Sequence, residues 1–216
     1  MGTYRCLDLY LVRHGITKAN MEKRYVGQTD VSLAADSRPQ LEELKNALQS
    51  VSFNRVISSD LRRCTETLHV ICPGTQYEVE TALREMHFGL WEMKTYEDLK
   101  HKQRYRKWVE DPETVFPEEG EKYQEFSKRV EAWLREFLRN SSSGNYLIVT
   151  HGGVIRQLLM HVQAVACFWE APAPHGKAVA VRLEYREECW SCTSLSVVPL
   201  PESQPTFNKR TQKHNG

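Results

Sequence analysis

The amino-acid sequence predicts an α/β fold, a three-layer α/β/α sandwich around a largely parallel central sheet. Three observations carry that prediction. Short apolar runs of strand length alternate with segments whose apolar residues recur at helical spacing. Several of the runs stop at polar residues beside glycine or serine, as buried strands do at the carboxyl edge of a parallel sheet. One longer segment places Phe126, Val130, Trp133, Leu134 and Phe137 at i, i+4, i+7, i+8 and i+11, the stripe of a helix laid against a sheet.

Taken in order, Leu7 to Val12 is a run of β-formers and leucines that ends at Arg13-His14-Gly15. Leu41, Leu44 and Leu48 predict a helix, and Phe53 to Ile57 a second strand running into Ser58-Ser59-Asp60. Those three short polar residues are expected to cap a helix starting near Leu61, which carries Arg62 and Arg63 in its first turn. Pro73-Gly74 ends it, and Tyr77 to Val79 predicts a short third strand before Leu83-Arg84-Glu85. From about Thr95 to Asp111 the pattern is helical and crowded with Lys100, Lys102, Arg104, Arg106 and Lys107. We read it as part of a helical insertion spanning about 92–125, lying over the site.

The strand Tyr146 to Thr150 ends at His151-Gly152-Gly153 and leads into a helix marked by Val154, Ile155, Leu158 and Leu159. Ala178 to Tyr185 and Cys192 to Val198 alternate as strands about a polar turn near Glu187 and Glu188, predicting a hairpin. Residues 1–199 are expected to form one domain. Beyond Pro199 the polar composition predicts a flexible tail, 200–216.

Composition narrows the function classes. A hydrophobic fraction of 40% with 26% charged residues argues for a folded globular chain rather than a disordered or membrane protein. No apolar stretch approaches a bilayer span, and Asp8 interrupts the only candidate leader, so a cytoplasmic protein without a membrane partner is expected. A formal charge of +1 gives no overall attraction to nucleic acid, and none is expected as a partner. Six cysteines spread unevenly through a chain of this length suit free thiols in a reducing compartment. Cys189-Trp190-Ser191-Cys192 is a single pair; residues three apart on a strand point to opposite faces and cannot share one metal ion. The sequence has no HExxH, P-loop or dinucleotide glycine fingerprint, so no cofactor is expected.

The chemistry converges on strand ends. His14 and His151 follow two apolar strands, and Arg63 opens the helix after a third, so all three are expected at one edge of the sheet. On its motifs the chain resembles the histidine phosphatase superfamily, the branch of cofactor-dependent phosphoglycerate mutases and α-ribazole phosphatases. The resemblance runs from about Leu7 to Val198 through several motifs in the family's order. These are Leu11-Val12-Arg13-His14-Gly15-Ile16-Thr17 with Asn20, then Gly27-Gln28-Thr29-Asp30, and Ser58-Ser59-Asp60-Leu61-Arg62-Arg63 with Thr67. Leu83-Arg84-Glu85-Met86-His87-Phe88-Gly89 with Trp91-Glu92, Gly120-Glu121, and Val149-Thr150-His151-Gly152-Gly153-Val154-Ile155-Arg156 complete the set.

That resemblance implies a phosphoglycerate mutase-like fold and a metal-independent phosphatase that transfers a phosphoryl group to His14 and then to water. A phosphate monoester needs cations on its equatorial oxygens, a role that suits Arg13 and Arg63. His14 attacks only as the neutral imidazole, with its other ring nitrogen held, for instance by the Gly15 backbone. His151 would donate to the transferring oxygens. Glu85 would be the general acid, its proton retained by burial beside Phe88 and Trp91. Asn20, Thr17, Gln28, Thr29, His87 and Gly152 complete the expected phosphate- and substrate-binding set; for His87, packing beside Trp91 is the competing reading.

The isolated His69, His101, His161 and His214 are expected to be structural or on the surface, and Arg62 to be secondary to Arg63. Four positions depart from the family's habit. Ala34 and Ser37 replace threonine and glycine near Leu33, Lys122 replaces the serine after Gly120-Glu121, and Met93 replaces a glycine. Lys122 would favour extra negative charge on the substrate if it faces the site. A small phosphate ester is the expected partner, acted on by a monomer or homodimer. A bisphosphate-primed mutase and a noncatalytic phospho-ligand module are the alternatives.

Overall fold

The computed structural model describes residues 4–199. One six-stranded sheet has the order β3-β2-β4-β1-β5-β6. Its strands are β1 (Arg5–Arg13), β2 (Arg55–Ser58), β3 (Glu78–Val79), β4 (Gly144–Thr150), β5 (Ala178–Arg186) and β6 (Cys189–Val198). The first four run parallel, while β5 and β6 add an antiparallel hairpin on β1. The helices are α1 (Lys18–Met21), α2 (Arg38–Leu48), α3 (Arg62–Ile71), α4 (Tyr96–Leu99), α5 (Gln103–Glu110), α6 (Tyr123–Asn140) and α7 (Gly152–His161). Among the described residues no helix is long and apolar enough to cross a membrane.

Period-two alternation sorts the core. Leu147 and Val149 of β4, with Val12 and Val56, meet Leu41, Leu44, Cys64 and Leu68 of α2 and α3 on one face. Tyr146 and Ile148, with Leu7, Leu9 and Leu11, meet Phe126, Val130, Leu134, Ile155 and Leu158 of α6 and α7 on the other. The predicted stripe on α6 is the contact it makes with the sheet. This is the three-layer sandwich expected.

Several local expectations are corrected. Ser58, Ser59 and Asp60 do not cap α3, whose first residue is preceded by Leu61 with no side-chain cap. Instead Asp30, from a distant loop, accepts the Arg62 N–H at 2.8 Å, while Asp60 is ion-paired to Arg84. The charged segment from Thr95 to Asp111 breaks at Lys100–Lys102 into α4 and α5, whose Leu99 and Tyr105 bury against Trp91 in a small cluster of their own. The hairpin turn falls at Glu187 and Glu188, both at positive φ, and β6 begins at Cys189, three residues before the expected start.

Candidate active site

Parallel pairing aligns Arg13 of β1 with Thr150 of β4, so the residues that follow each strand leave the sheet side by side. The His14 N–H donates to the Thr150 carbonyl at 3.0 Å, and the rings of His14 and His151 meet edge to face with centroids 5.3 Å apart. Both are buried. His14 Nδ1 lies 2.7 Å from the Gly15 carbonyl, which can only accept; Nδ1 therefore carries the proton and Nε2 presents its lone pair. Burial first, then the charge of Arg63, pushes His14 well below the usual imidazole range, so the ring is neutral near pH 7. His151 is pushed the same way for the same reasons, and its Nε2 lies 3.0 Å from the Ser59 hydroxyl.

Arg63 is fully buried at the start of α3, donating from Nη2 to the Gly27 carbonyl at 2.6 Å and from Nη1 to the Thr29 carbonyl at 3.0 Å. Gly27 is glycine because a Cβ there would lie 2.4 Å from the Met86 carbonyl. Arg13 donates from Nη1 to the Ala173 carbonyl at 2.7 Å, and burial lowers it to about 10. Each of these two guanidinium groups keeps a buried Nε with no partner. Neither has a carboxylate within ion-pair distance among the described residues. Two buried cations side by side with neutral imidazoles can bind an anion.

Glu85 reaches this cluster from the loop after Leu83. Its carboxylate accepts the Gly153 N–H at 2.9 Å and the Met86 N–H at 2.9 Å. A Cβ on Gly153 would lie 2.3 Å from Glu85 Oε1, so that glycine makes the approach possible. The loop is clamped by Arg129 of α6, which donates to the Ala82 and Arg84 carbonyls at 2.7 and 2.8 Å, and by Thr150, which donates to the Leu83 carbonyl at 2.8 Å. Both carboxylate oxygens thus accept a backbone N–H, and Phe88 lines the same cavity as Glu85.

The rest of the expected set divides. Asn20 and Gly152 line the cavity with Arg13 and Glu85. Thr17 is fully buried and forms a reciprocal cap with Asn20 on α1, which fixes the loop. Gln28 and Thr29 serve the scaffold: Glu92 accepts both of their backbone N–H groups and the Thr29 hydroxyl, and the Gln28 side chain donates to the Glu85 carbonyl. The half-exposed His87 lies 3.7 Å from Glu92 rather than in the cavity wall. Lys122 precedes α6 as its N-cap, beside Glu125 and Phe116 and outside the cavity lining, so it does not face the site. Arg62 faces solvent toward Glu66.

A cavity of about 690 Å³ meets the cluster at Arg13, Glu85, Gly152 and Gly153, while the buried His14, Arg63 and His151 are not in its lining. Its wall is aromatic, with Tyr25, Phe88, Trp108, Tyr123, Phe168 and Trp169, and Arg156 lies beside Phe168 and Trp169. The sequence reading missed Trp108, Phe168, Trp169 and His175, and gave Arg156 a place in a motif but no role. The basic residues of α5 do not line the cavity; Trp108 and Val109 of that helix do.

A model of the histidine phosphatase superfamily (branch 1) matches residues 9–197. The chain belongs to that superfamily. It is 35% identical over 196 residues to the adenosylcobalamin/α-ribazole phosphatase of Escherichia coli (strain K12), covering 88% of this chain and 91% of that one. The Enterobacter sp. protein named "Probable phosphoglycerate mutase GpmB" is 29% identical over 188 residues, covering 85% and 87%. The crystal structure of the α-ribazole phosphatase from Shigella flexneri superposes with a TM-score of 0.80 at 28% identity, covering 91% of this chain and all of that one. The fold is phosphoglycerate mutase-like and the protein is a phosphatase.

Proposed function

We propose that the protein is a phosphomonoesterase that works through a phosphohistidine on His14, without a metal. The observation that carries this reading is the locked tautomer of His14, whose ring lies in the field of two buried guanidinium groups, Arg63 and Arg13. Nε2 attacks phosphorus and the ester P–O bond breaks, while Glu85 hands its proton to the leaving oxygen. Glu85, now ionised, takes a proton from water as that water attacks phosphorus; the P–N bond breaks, and inorganic phosphate and neutral His14 result. Arg13, Arg63 and His151 hold the equatorial oxygens, with Asn20 and the N-terminus of α7 at Gly152 beside them.

The substrate we propose is a small ester of the α-ribazole-5′-phosphate kind. The names of the relatives support it, and so does the aromatic wall: a compact phosphoglycerate gives Trp108, Phe168 and Trp169 nothing to cover. The setting proposed is cytoplasmic, as a monomer or homodimer with neither nucleic acid nor membrane as partner. The near-neutral charge supports that view.

A phosphate-release screen tests the reading, run with and without chelator on α-ribazole phosphate, sugar phosphates and phosphoglycerates. Chelator-resistant hydrolysis is expected, strongest on α-ribazole phosphate, with an acid-labile phosphoenzyme that is absent from His14→Ala. Activity lost with chelator, or bisphosphate-dependent isomerisation without hydrolysis, overturns it.

A further inference from the structure

A second lobe of about 280 Å³ adjoins the aromatic cavity, sharing Arg13, Asn20, Arg24 and Tyr25 with it. Glu85 lines only the aromatic lobe. In an in-line displacement His14 attacks opposite the leaving group, and the second lobe, which Lys23, Tyr96 and His175 complete, borders His14 through the His175 ring.

His175 stands beside His14. Its ring meets that of His14 edge to face at 5.1 Å, and its Nδ1 lies 3.2 Å from the His14 carbonyl. The backbone around it is pinned: the Gly176 N–H donates to the Arg13 carbonyl at 3.0 Å, and the Gln40 side chain donates to the His175 carbonyl at 2.6 Å. A carbonyl only accepts, so Nδ1 carries a proton and, in the neutral ring, Nε2 is left as an acceptor.

The groups facing His175 are one-sided. Arg13 and His14 come from the end of β1, Arg63 from α3, Lys23 and Arg24 from the turn after α1, and Tyr96 from α4. Arg24 is paired with Glu22, but among the described residues no carboxylate lines the lobe. Burial, then Arg13, pushes His175 down to about 4, so near neutral pH an empty site holds an imidazole whose outward nitrogen would repel an anion.

We propose that His175 is a further phosphate-binding residue that becomes a cation only when the anion is present. The incoming dianion balances Arg13 and Arg63 and places negative charge near the ring. Nε2 then takes a proton from solvent and donates it to a phosphoryl oxygen, while Nδ1 continues to donate to the His14 carbonyl. When inorganic phosphate leaves, the proton returns to solvent. The inference rests on the phosphoryl site proposed above and adds a titrating member to it. One consequence is tighter anion binding as pH falls toward 6, by up to roughly tenfold per pH unit for one linked proton.

Sulfate is a suitable probe because it has no titratable proton near neutrality. The His175 ring resonances of the whole protein, assigned with His175→Gln, are followed against pH with and without sulfate. Proton uptake is measured in parallel by calorimetry in buffers of different ionisation enthalpy. The expected result is a His175 that stays neutral to below pH 5 when free but titrates above pH 6 in the sulfate complex. At pH 6 the wild type should take up more protons per sulfate than His175→Gln, by about one at most. A ring that remains neutral in the complex overturns the proposal, as does equal uptake by the variant; the wild-type titration stands even if the variant folds poorly. Phosphoenzyme formation is scored separately. A titrating His175 without phosphohistidine removes the transfer scheme and leaves the anion site, and a neutral His175 with phosphohistidine does the reverse.

Discussion

The floor and the wall of the cavity contrast in how they are held. The floor is the cluster that meets the cavity through Arg13, Glu85 and Gly152; behind these His14, Arg63 and His151 are buried, and His14 and Arg63 are tied to backbone carbonyls whose positions follow from the sheet or from loops packed on it. In the wall, Trp108 belongs to an eight-residue helix and Trp169 to a single short turn, with 70% of Trp169 exposed. A floor of this kind suits the fixing of reacting atoms, which transition-state chemistry requires, while a wall of partly exposed rings supplies area and tolerates shape. The division predicts that changes in the floor reduce kcat for every ester, and changes in the wall reduce affinity for bulky ones.

The largest effect should come from His14→Ala. We expect kcat to fall by about 10⁴-fold or more on every ester, activated aryl phosphates included, because the covalent intermediate has no other site. Steady-state phosphate release checks this. Equal residual activity on an aryl phosphate would break the assignment of the nucleophile.

Next, Arg63→Gln should lower kcat/KM by about 10³-fold through loss of a charged donor. It also tests the electrostatics. Attack needs neutral His14, and Arg63 is the largest charge holding that ring well below 6.5. In the wild type the acid limb of kcat/KM therefore lies below pH 6.5, and in Arg63→Gln it should move upward. Stability follows the same sign. An unfolded chain protonates His14, His151 and His175 below about pH 6.5, whereas the fold resists, so the melting temperature should fall as pH drops from 7 to 5. A limb unmoved by Arg63→Gln would show that burial alone sets the nucleophile.

Trp108→Ala sharpens the wall. Removing one stacking ring should raise KM for a heteroaromatic ester by about 5- to 30-fold, equivalent to roughly 1–2 kcal/mol, with kcat nearly unchanged. For a sugar phosphate the change should be under about twofold. A matching fall in kcat on both would mean that the wall also positions the floor.

The same contrast explains what the sequence disclosed. His14 and His151 were visible because each ends an apolar strand beside glycine, a local pattern with a fixed consequence in a parallel sheet. Arg129, which clamps the Glu85 loop from α6, sat among ordinary helix-surface charges; nothing in its neighbourhood distinguishes it from Lys128. Thr29 and Gln28 looked like phosphate ligands because they share a motif with the site, yet their donors are taken by Glu92 and the Glu85 carbonyl. Trp169 and His175 lie in a connection without periodicity, where only tertiary packing assigns a role. The cap of α3 was misplaced for a related reason: Asp30 is 32 residues away in sequence, and local propensity favours the nearer Ser59.

The smallest effect concerns the seam between the two regions. Met93 has φ +61°, a left-handed conformation that disfavours a side chain. It is held there because its N–H donates to the Tyr25 carbonyl at 2.8 Å while Arg24 donates to its own carbonyl at 2.7 Å. These bonds join the segment that leads into α4 and α5 to the turn after α1. Met93→Gly should relieve about 1 kcal/mol, raising the melting temperature by roughly 2–4 °C in a chain of this size. If the backbone bonds alone define the seam, kcat and KM should not move. A rise in KM for bulky esters without loss of stability would show that the strained methionine, rather than those bonds, sets where Trp108 stands over the floor.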